Sequence, residues 1–492
     1  MSTGLSDLEW VTARDGSRTA RFQTTQTWWG GCSVPRRSAQ MMFRSFNPQG
    51  RLACLLLPTH PHQVGVCLEK MPARHGLIVI LDSESSLTFY RACCDFSGET
   101  DRLFFAWDPA SLGRIFEQNP GLPVPQQFIR LPVSDPSACE KVIEWCQGVF
   151  SHVSQLQTRR LEESHTRTIV SEGPLLTLVS GGFRLWDDAD QRLAEVFSDS
   201  VVDLDDVRQC ATAYIAERAS CASGLLTHHV GRSNQPHLIR PDLPWISWVT
   251  RGSIPAYVPT SPRDGLVVID PEWLSRAYAA GWPTDRVAVG QPEPLSHEGG
   301  NCLVLVYDLP DLAPPAEVVE YSSWRVVWDA IVKELAYQPH RLAGDVTGYL
   351  ERARRYFGVP DKDFPVQRFI QQAIEPAYAM GMARWLIQQS VPLTVYGKGW
   401  ERVDEILPCW NGPVENRSSL EQVLAGSKAL VDIFLSEGHL SRYLGIPVLK
   451  TIGQTPQRIL QEVRRVGDYP SKSAHMFYPL TQAVRSLLNT RR

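Results

Sequence analysis

Between Val391 and Leu449 the chain sets a lysine between two glycines, Gly397-Lys398-Gly399-Trp400, directly after the apolar run Leu393-Thr394-Val395-Tyr396. Glycines let a backbone approach a ligand closely and the lysine adds one cation, a pairing suited to a diphosphate. A strand-to-helix turn with a solvent-facing lysine accounts for the same residues. Further on, Ser427-Lys428-Ala429-Leu430-Val431-Asp432 reads as a buried strand leading into Ser436-Glu437-Gly438-His439-Leu440-Ser441, and Gly445 precedes the strand Ile446-Pro447-Val448-Leu449. Such a strand delivers Glu437 and Gly438 to its carboxyl end, where parallel α/β sheets bind ligands. The helix start beyond it supplies N–H groups that attract phosphate.

Proton-transfer candidates lie earlier in the chain. His228-His229 follows the apolar run Gly224–Thr227, and Asp203 lies in the run Ser200–Leu204. An imidazole or carboxylate at a strand end can take a proton from a hydroxyl; one buried and one exposed ring is the alternative reading of the histidine pair. Asp203, Asp205 and Asp206 are read as helix caps rather than a metal site. Gly181-Gly182, after the run Leu175–Val179, allows an acceptor or phosphate to approach the backbone, and a tight turn explains it equally. Thr59-His60-Pro61-His62 offers two imidazoles without an identifiable third ligand, so no metal is expected there.

The elements that must position these residues read as parallel α/β structure. Short apolar runs ending in an acid, Leu77–Leu81 before Asp82 and Leu103–Trp107 before Asp108, alternate with helical stretches in an N-terminal α/β domain over 1–168. It has no GxGxxG turn, so no dinucleotide is assigned to it. Arg21–Trp29 and Leu52–Leu57 are expected strands, and Pro136–Glu163 one or two helices. A second unit, 169–297, continues with Pro244–Val249, Gly265–Ile269 and the helix Trp273–Ala280. A third, 298–492, opens with the strand Cys302–Tyr307, then a helical segment over 318–389 broken near Gly344 and Gly358–Pro365. It ends in the helices Thr455–Val466 and Tyr478–Leu488.

The order of strand, YGKGW, "GPV", helix, "SKALVD" and "SEGHLSRYLGIPVL" resembles the nucleotide-sugar-binding half of GT-B glycosyltransferases. Within that class it is most similar to the family that includes the spore-maturation glycosyltransferase-like proteins. Leu225-Leu226-Thr227-His228-His229, Leu243–Trp248, Asp264–Val268 and Tyr278-Ala279-Ala280-Gly281-Trp282 resemble that family's acceptor-side domain. The resemblance implies two facing Rossmann-like domains in GT-B arrangement behind the N-terminal domain, and metal-independent transfer of a sugar without a separate cofactor. It implies Gly397, Lys398, Gly399 and Trp400 near the donor, with Glu437, Gly438, His439 and Ser441 lining its ribose and diphosphate. The acceptor, whether glycan, lipid or protein, is left open. Retaining enzymes of this fold carry a second glutamate eight positions after the first, where this chain has Gly445, and many relatives have D-x-P where it has Thr250-Arg251-Gly252. These departures keep open a non-catalytic GT-B scaffold acting through its N-terminal domain.

Composition excludes other classes. Hydrophobic residues at 43% and charged residues at 21% are globular values, which argues against a disordered chain. A net charge of −4 supplies no field for a nucleic-acid backbone. Eleven cysteines without zinc-type spacing read as reduced thiols of a cytoplasmic protein. Neither a signal peptide nor an apolar run long enough to cross a bilayer is visible, so membrane contact is expected to be peripheral at most.

Overall fold

The structure, a computed structural model, describes residues 8–72, 74–167, 173–180, 189–198, 200–250, 253–291, 298–435, 446–466 and 479–489. The protein is α/β, with three parallel sheets among the described residues. An antiparallel ribbon, β1 (Leu8–Thr12) with β2 (Arg18–Phe22), precedes them. The first parallel sheet contains β3 (Leu52–Leu56), β4 (Gly76–Ile80), β5 (Leu103–Ala106) and β6 (Gln127–Arg130) in the order β5-β4-β3-β6. The second is built from β7 (Leu175–Val179), β8 (Val201–Asp203), β9 (Gly224–His228), β10 (Trp245–Val249), β11 (Gly265–Val268) and β12 (Val287–Val289), ordered β12-β11-β10-β9-β7-β8. β13 (Leu303–Val306), β14 (Leu393–Tyr396), β15 (Ala429–Asp432) and β16 (Val448–Lys450) form the third, ordered β14-β13-β15-β16.

Central strands such as β3, β4, β10, β11 and β13 are buried at every position. That is why they read as predominantly apolar runs, with Ser247 of β10 the one hydroxyl among them: cover on both faces removes the polar alternation of a half-exposed strand. Strand order reverses direction between β7 and β9 in the second sheet and between β13 and β15 in the third. In open parallel sheets such a reversal is where a crevice forms at the carboxyl ends, because the connections on its two sides leave toward opposite faces.

One expected strand is corrected, and the helical expectations are made specific. The proposed strand Arg21–Trp29 is replaced by β2, which starts earlier and ends at Phe22. Pro136–Thr166 is one continuous 31-residue helix. Between β2 and β3, Pro35–Met42 is a helix that Pro35 can begin because a first-turn residue needs no N–H partner. Residues 318–389 hold the helices Ser322–Tyr337, Val346–Tyr356 and Glu375–Gln388, the last entered through a π-turn at Ile370–Ile374. The breaks fall where Ala343, Gly344 and Gly358 take positive φ. The boundaries expected at 168 and 297 lie outside the described residues.

The second and third sheets share one apolar cluster. Leu226, Ile246, Trp248 and Val267 of the second join Val304, Val306 and Leu430 of the third, together with Leu420 and Leu424 of the helix Arg417–Ala425. Leu480, Val484 and Leu487 of the last helix, Leu480–Asn489, belong to the same cluster. Leu480 N–H also donates to the Gln291 carbonyl at 2.9 Å, bringing the chain back beside β12. Among the described residues no helix is long and apolar enough to cross a membrane.

The second sheet contains a buried ion pair. Arg232 donates to both Asp264 oxygens at 2.8 Å and to the carbonyls of Ile239 and Leu243, while Asp264 also accepts from Trp245 N–H. Removing one partner strands the other charge in the interior, so Asp264→Ala is expected to lower the unfolding free energy by about 3–5 kcal/mol. Breaking the exposed pair Arg36–Glu69 should cost less than about 1 kcal/mol. Urea unfolding of the two variants checks the contrast.

Candidate functional site

At the β7–β9 reversal the chain builds a line of hydrogen bonds. His228 Nδ1 lies 3.3 Å from Asp190 Oδ1, its Nε2 lies 2.9 Å from Thr250 Oγ1, and His229 Nε2 lies 3.0 Å from the same hydroxyl. The His228 side chain is 5% exposed and Thr250 is buried. Asp190, in the helix Ala189–Val196, also accepts from Ser180 N–H, which joins that helix to the carboxyl end of β7.

The partners dictate the protons. A carboxylate only accepts, so His228 carries its hydrogen on Nδ1 and, when neutral, accepts from Thr250 at Nε2. Thr250 has then donated its single proton, and His229 must donate through Nε2 to the hydroxyl oxygen. The result is a directed chain of hydrogen bonds, His229 to Thr250 to His228 to Asp190.

The backbone is shaped to hold it. His229 takes φ +59°, uncommon for a residue with a side chain, and its N–H donates to the Trp248 carbonyl at 2.9 Å. The following carbonyl, Val230, accepts from Thr227 Oγ1, Trp245 Nε1 and Ser247 Oγ. Three donors from β9 and β10 on one oxygen pin the turn. Arg232, two residues later, is held by the buried pair with Asp264. Both imidazoles therefore serve the chain of bonds, in place of one buried and one exposed ring.

Asp203 occupies the carboxyl end of β8, on the other side of β7 from the histidines. Its Oδ1 accepts from Asp205 N–H at 2.8 Å. Asp206 caps the short helix Val207–Gln209 and holds Arg208. The acidic cluster thus forms a turn. Gly181 and Gly182 lie outside the described residues.

In the third sheet the Gly397–Trp400 turn has a packing explanation. Gly397 and Gly399 take φ of +126° and +88°, and a Cβ on either would lie 2.0 Å and 1.9 Å from the carbonyls of Tyr307 and Leu309. Trp400 is wholly buried and its indole N–H donates to the Tyr307 carbonyl. These three residues close the turn onto the chain leaving β13. Lys398 points outward, exposed, while its backbone N–H donates to Asp308 Oδ1 at 2.7 Å.

At the β13–β15 reversal the structure adds a residue that the sequence reading missed. Glu375, first in the helix Glu375–Gln388, accepts from Leu435 N–H at 3.2 Å and lies 3.5 Å from the Tyr307 hydroxyl. Burial, followed by the Glu375 charge, pushes the Tyr307 phenol up, so it stays protonated. Glu375 thereby anchors the chain immediately before residues 436–445, where Glu437, Gly438, His439, Ser441 and Gly445 lie outside the described residues.

The dismissal of the Thr59–His62 stretch for want of a third donor is corrected: donor atoms of His60, His62 and Cys93 lie within 4.8 Å of one another. Those atoms are already committed to the protein. His60 accepts from His62 N–H at Nδ1 and bonds Thr19 through Nε2, while His62 Nε2 and Cys93 Sγ both donate to the Arg18 carbonyl. A metal ion would have to displace these bonds. Burial, ahead of the His62 charge, drives His60 down to about 3, so it remains neutral.

No protein-family model, curated protein or solved structure matches the chain.

The glycine geometry gives a direct test. Gly397→Ala and Gly399→Ala are each expected to destabilise the protein by at least about 1–3 kcal/mol, because positive φ and a carbonyl contact both oppose a Cβ. Lys398→Ala should stay within about 0.5 kcal/mol of the parent. Thermal and denaturant unfolding of the three variants separates packing from exposure.

Proposed function

We propose that this protein is a metal-independent glycosyltransferase that moves a sugar from a nucleotide-sugar donor to a hydroxyl of a glycan, lipid or protein in the cytoplasm, using two Rossmann-like lobes in GT-B arrangement. The observation that carries the reading is the Asp190–His228–Thr250–His229 chain at the strand-order reversal of the second sheet, the position where such a fold exposes a ligand crevice. The order of sequence motifs in the third unit supplies the donor half of the proposal.

In this mechanism the histidine pair takes the proton of the acceptor hydroxyl, and the Asp190 carboxylate stabilises the resulting imidazolium. The acceptor oxygen forms a bond to the sugar's anomeric carbon as the bond to the nucleoside diphosphate breaks. Lys398 and N–H groups of the Glu437–Ser441 segment offset the charge of the departing diphosphate, the interaction that lowers the barrier most in such chemistry. Gly397, Gly399 and Trp400 hold the turn that presents Lys398. Asp203 stands as a second carboxylate on the far side of β7.

Titration calorimetry with UDP-, GDP- and dTDP-sugars is expected to show binding of at least one donor. Lys398→Ala should weaken it by about 1.5–3 kcal/mol, the worth of a hydrogen bond to a charged group. Absence of binding to every donor removes the proposal. His229→Ala should leave donor affinity unchanged and lower turnover, followed as donor hydrolysis or transfer, by roughly 10²–10⁴-fold. Gly445, in place of the second glutamate, favours a binding protein as the second reading. Tight donor binding by the parent with no turnover would select it.

A further inference from the structure

We infer that Cys94 and His62 form a nucleophilic thiolate–imidazole pair, and that its substrate is a small disulfide carrying both carboxylate and ammonium groups. The site lies beside the first sheet and is independent of the proposed sugar transfer.

The geometry begins with the imidazole. His62 stands in the first turn of the helix Pro61–Lys70, and its Nε2 lies 2.9 Å from the Arg18 carbonyl in β2. A carbonyl only accepts, so Nε2 carries the hydrogen and Nδ1 is left to face Cys94 Sγ, 3.6 Å away. The base of a nucleophilic cysteine needs this arrangement: one ring nitrogen anchored to a fixed acceptor, the other within hydrogen-bond reach of the sulfur. The ring is further fixed by stacking on His60, at 5.2 Å and 9° between planes. His60 is itself locked by Thr19 and by the cap of the helix it precedes.

Cys94 follows the last residue of the helix Glu84–Cys93 and is half-buried. Together with His62 it lines a cavity of about 480 Å³. Its neighbour Cys93 is buried, with Sγ 3.0 Å from the same Arg18 carbonyl, and its single S–H turns to Cys94 when that sulfur ionises. The surroundings favour the ionised sulfur: the Cys93 thiol as hydrogen-bond partner and then His62 and the Arg36 charge hold Cys94 well below the usual thiol range against the opposing effect of burial. Burial works to lower His62, but its bonds to Cys94 and to the Arg18 carbonyl and the Asp15 charge outweigh it, so the ring is held above its ordinary value. The pair therefore favours thiolate with imidazolium.

The charged groups facing the pair come from every adjoining element. They are Asp15 from the β1–β2 turn, Arg18 from β2, Arg36 from the helix Pro35–Met42 and Glu69 from the helix Pro61–Lys70. Asp95, Glu99 and Arg102 come from the segment after Cys94. Two ion pairs, Arg36 with Glu69 and Arg102 with Glu99, place both signs of charge on the cavity wall. A zwitterionic disulfide can engage both signs, whereas a purely anionic one engages one and an apolar one neither.

The reaction balances without a further reagent. The Cys94 thiolate attacks one sulfur of the disulfide, a bond forms between them, and the substrate's sulfur–sulfur bond breaks. The departing thiolate takes the proton that His62 received from Cys94. The products are a mixed disulfide on the protein and one free small thiol.

The test uses the full chain with oxidised glutathione, and separately with iodoacetamide, from pH 5 to 9, with the modified cysteine located by peptide mass. A single adduct on Cys94 is expected, forming near pH 6 roughly tenfold faster than on the exposed Cys221 and Cys302, since early ionisation is partly offset by the lower intrinsic reactivity of an acidic thiol. His62→Gln, which can still donate to the Arg18 carbonyl, should raise the midpoint of Cys94 alkylation toward the ordinary thiol value of about 8.5. Circular dichroism confirms that the variant folds, and His62→Asn serves as a second replacement. Equal rates at Cys94, Cys221 and Cys302, or a midpoint unmoved in both His62 variants, overturns the inference. So does stoichiometric zinc retained by the purified chain and lost in Cys94→Ser, because the sulfur would then be a ligand.

Discussion

The constraint on which the candidate chemistry depends is the apolar cluster shared by the second and third sheets. Trp248, which donates its indole N–H to the Gly290 carbonyl, lies in it beside Leu226 and Ile246. Val304, Val306 and Leu430 come from the other sheet, and the last helix contributes Leu480, Val484 and Leu487. Pulling the sheets apart would expose these side chains to water, and the hydrophobic penalty scales with the area uncovered. The same Trp248 offers its backbone carbonyl to His229 N–H and packs its ring 5.5 Å from His228. The core that joins the sheets is thus also the floor beneath the histidine pair.

Above that floor the controlling atom is one hydroxyl oxygen. Thr250 stands between two imidazoles and has only one proton to give, so the orientation of its O–H and the protonation of both rings are coupled. Three donors on the Val230 carbonyl and the buried Arg232–Asp264 pair prevent the turn from relaxing its positive φ. The scaffold supplies order where the chemistry needs a particular proton arrangement, in keeping with the general link between backbone strain and functional sites.

The sequence made the buried parallel strands legible and the edge strands much less so. β4 and β13 are continuous apolar runs, and β7 and β10 are interrupted by one buried hydroxyl residue each, Thr177 and Ser247, because both their faces are covered. β6, Gln127–Arg130, is a partly exposed edge strand whose two apolar residues are flanked by polar ones, and β12, Val287–Val289, is apolar but three residues long and partly exposed. The histidines were legible as candidates because they end a strand, yet their partners were not. Asp190 and Thr250 reach them from elements on either side, and only the pairing of β9 with β7 and β10 makes them neighbours. Likewise Cys94 is 32 positions from His62. The Gly-Lys-Gly turn shows the converse problem: glycines demanded by a nearby carbonyl and glycines demanded by a ligand look identical in a sequence.

The first sheet shows why a strand-end carboxylate alone does not make a nucleotide site. Asp82 follows β4 as a ribose-binding acid would, but its carboxylate accepts from Ser86 and serves the start of the helix Glu84–Cys93. At the reversal between β3 and β6, Leu57 takes φ +43° and its carbonyl accepts from the buried Ser134 hydroxyl at 3.0 Å, so the chain itself fills the carboxyl end. Tyr90 seals the same edge by donating to the Pro58 carbonyl. With that position occupied, the groups capable of chemistry gather at the side of the sheet, where the helix beginning at Pro61 and the helix ending at Cys93 bring His62 and Cys94 together. A parallel sheet provides a crevice by topology, but whether it serves a ligand depends on whether the local residues leave its polar groups unspent.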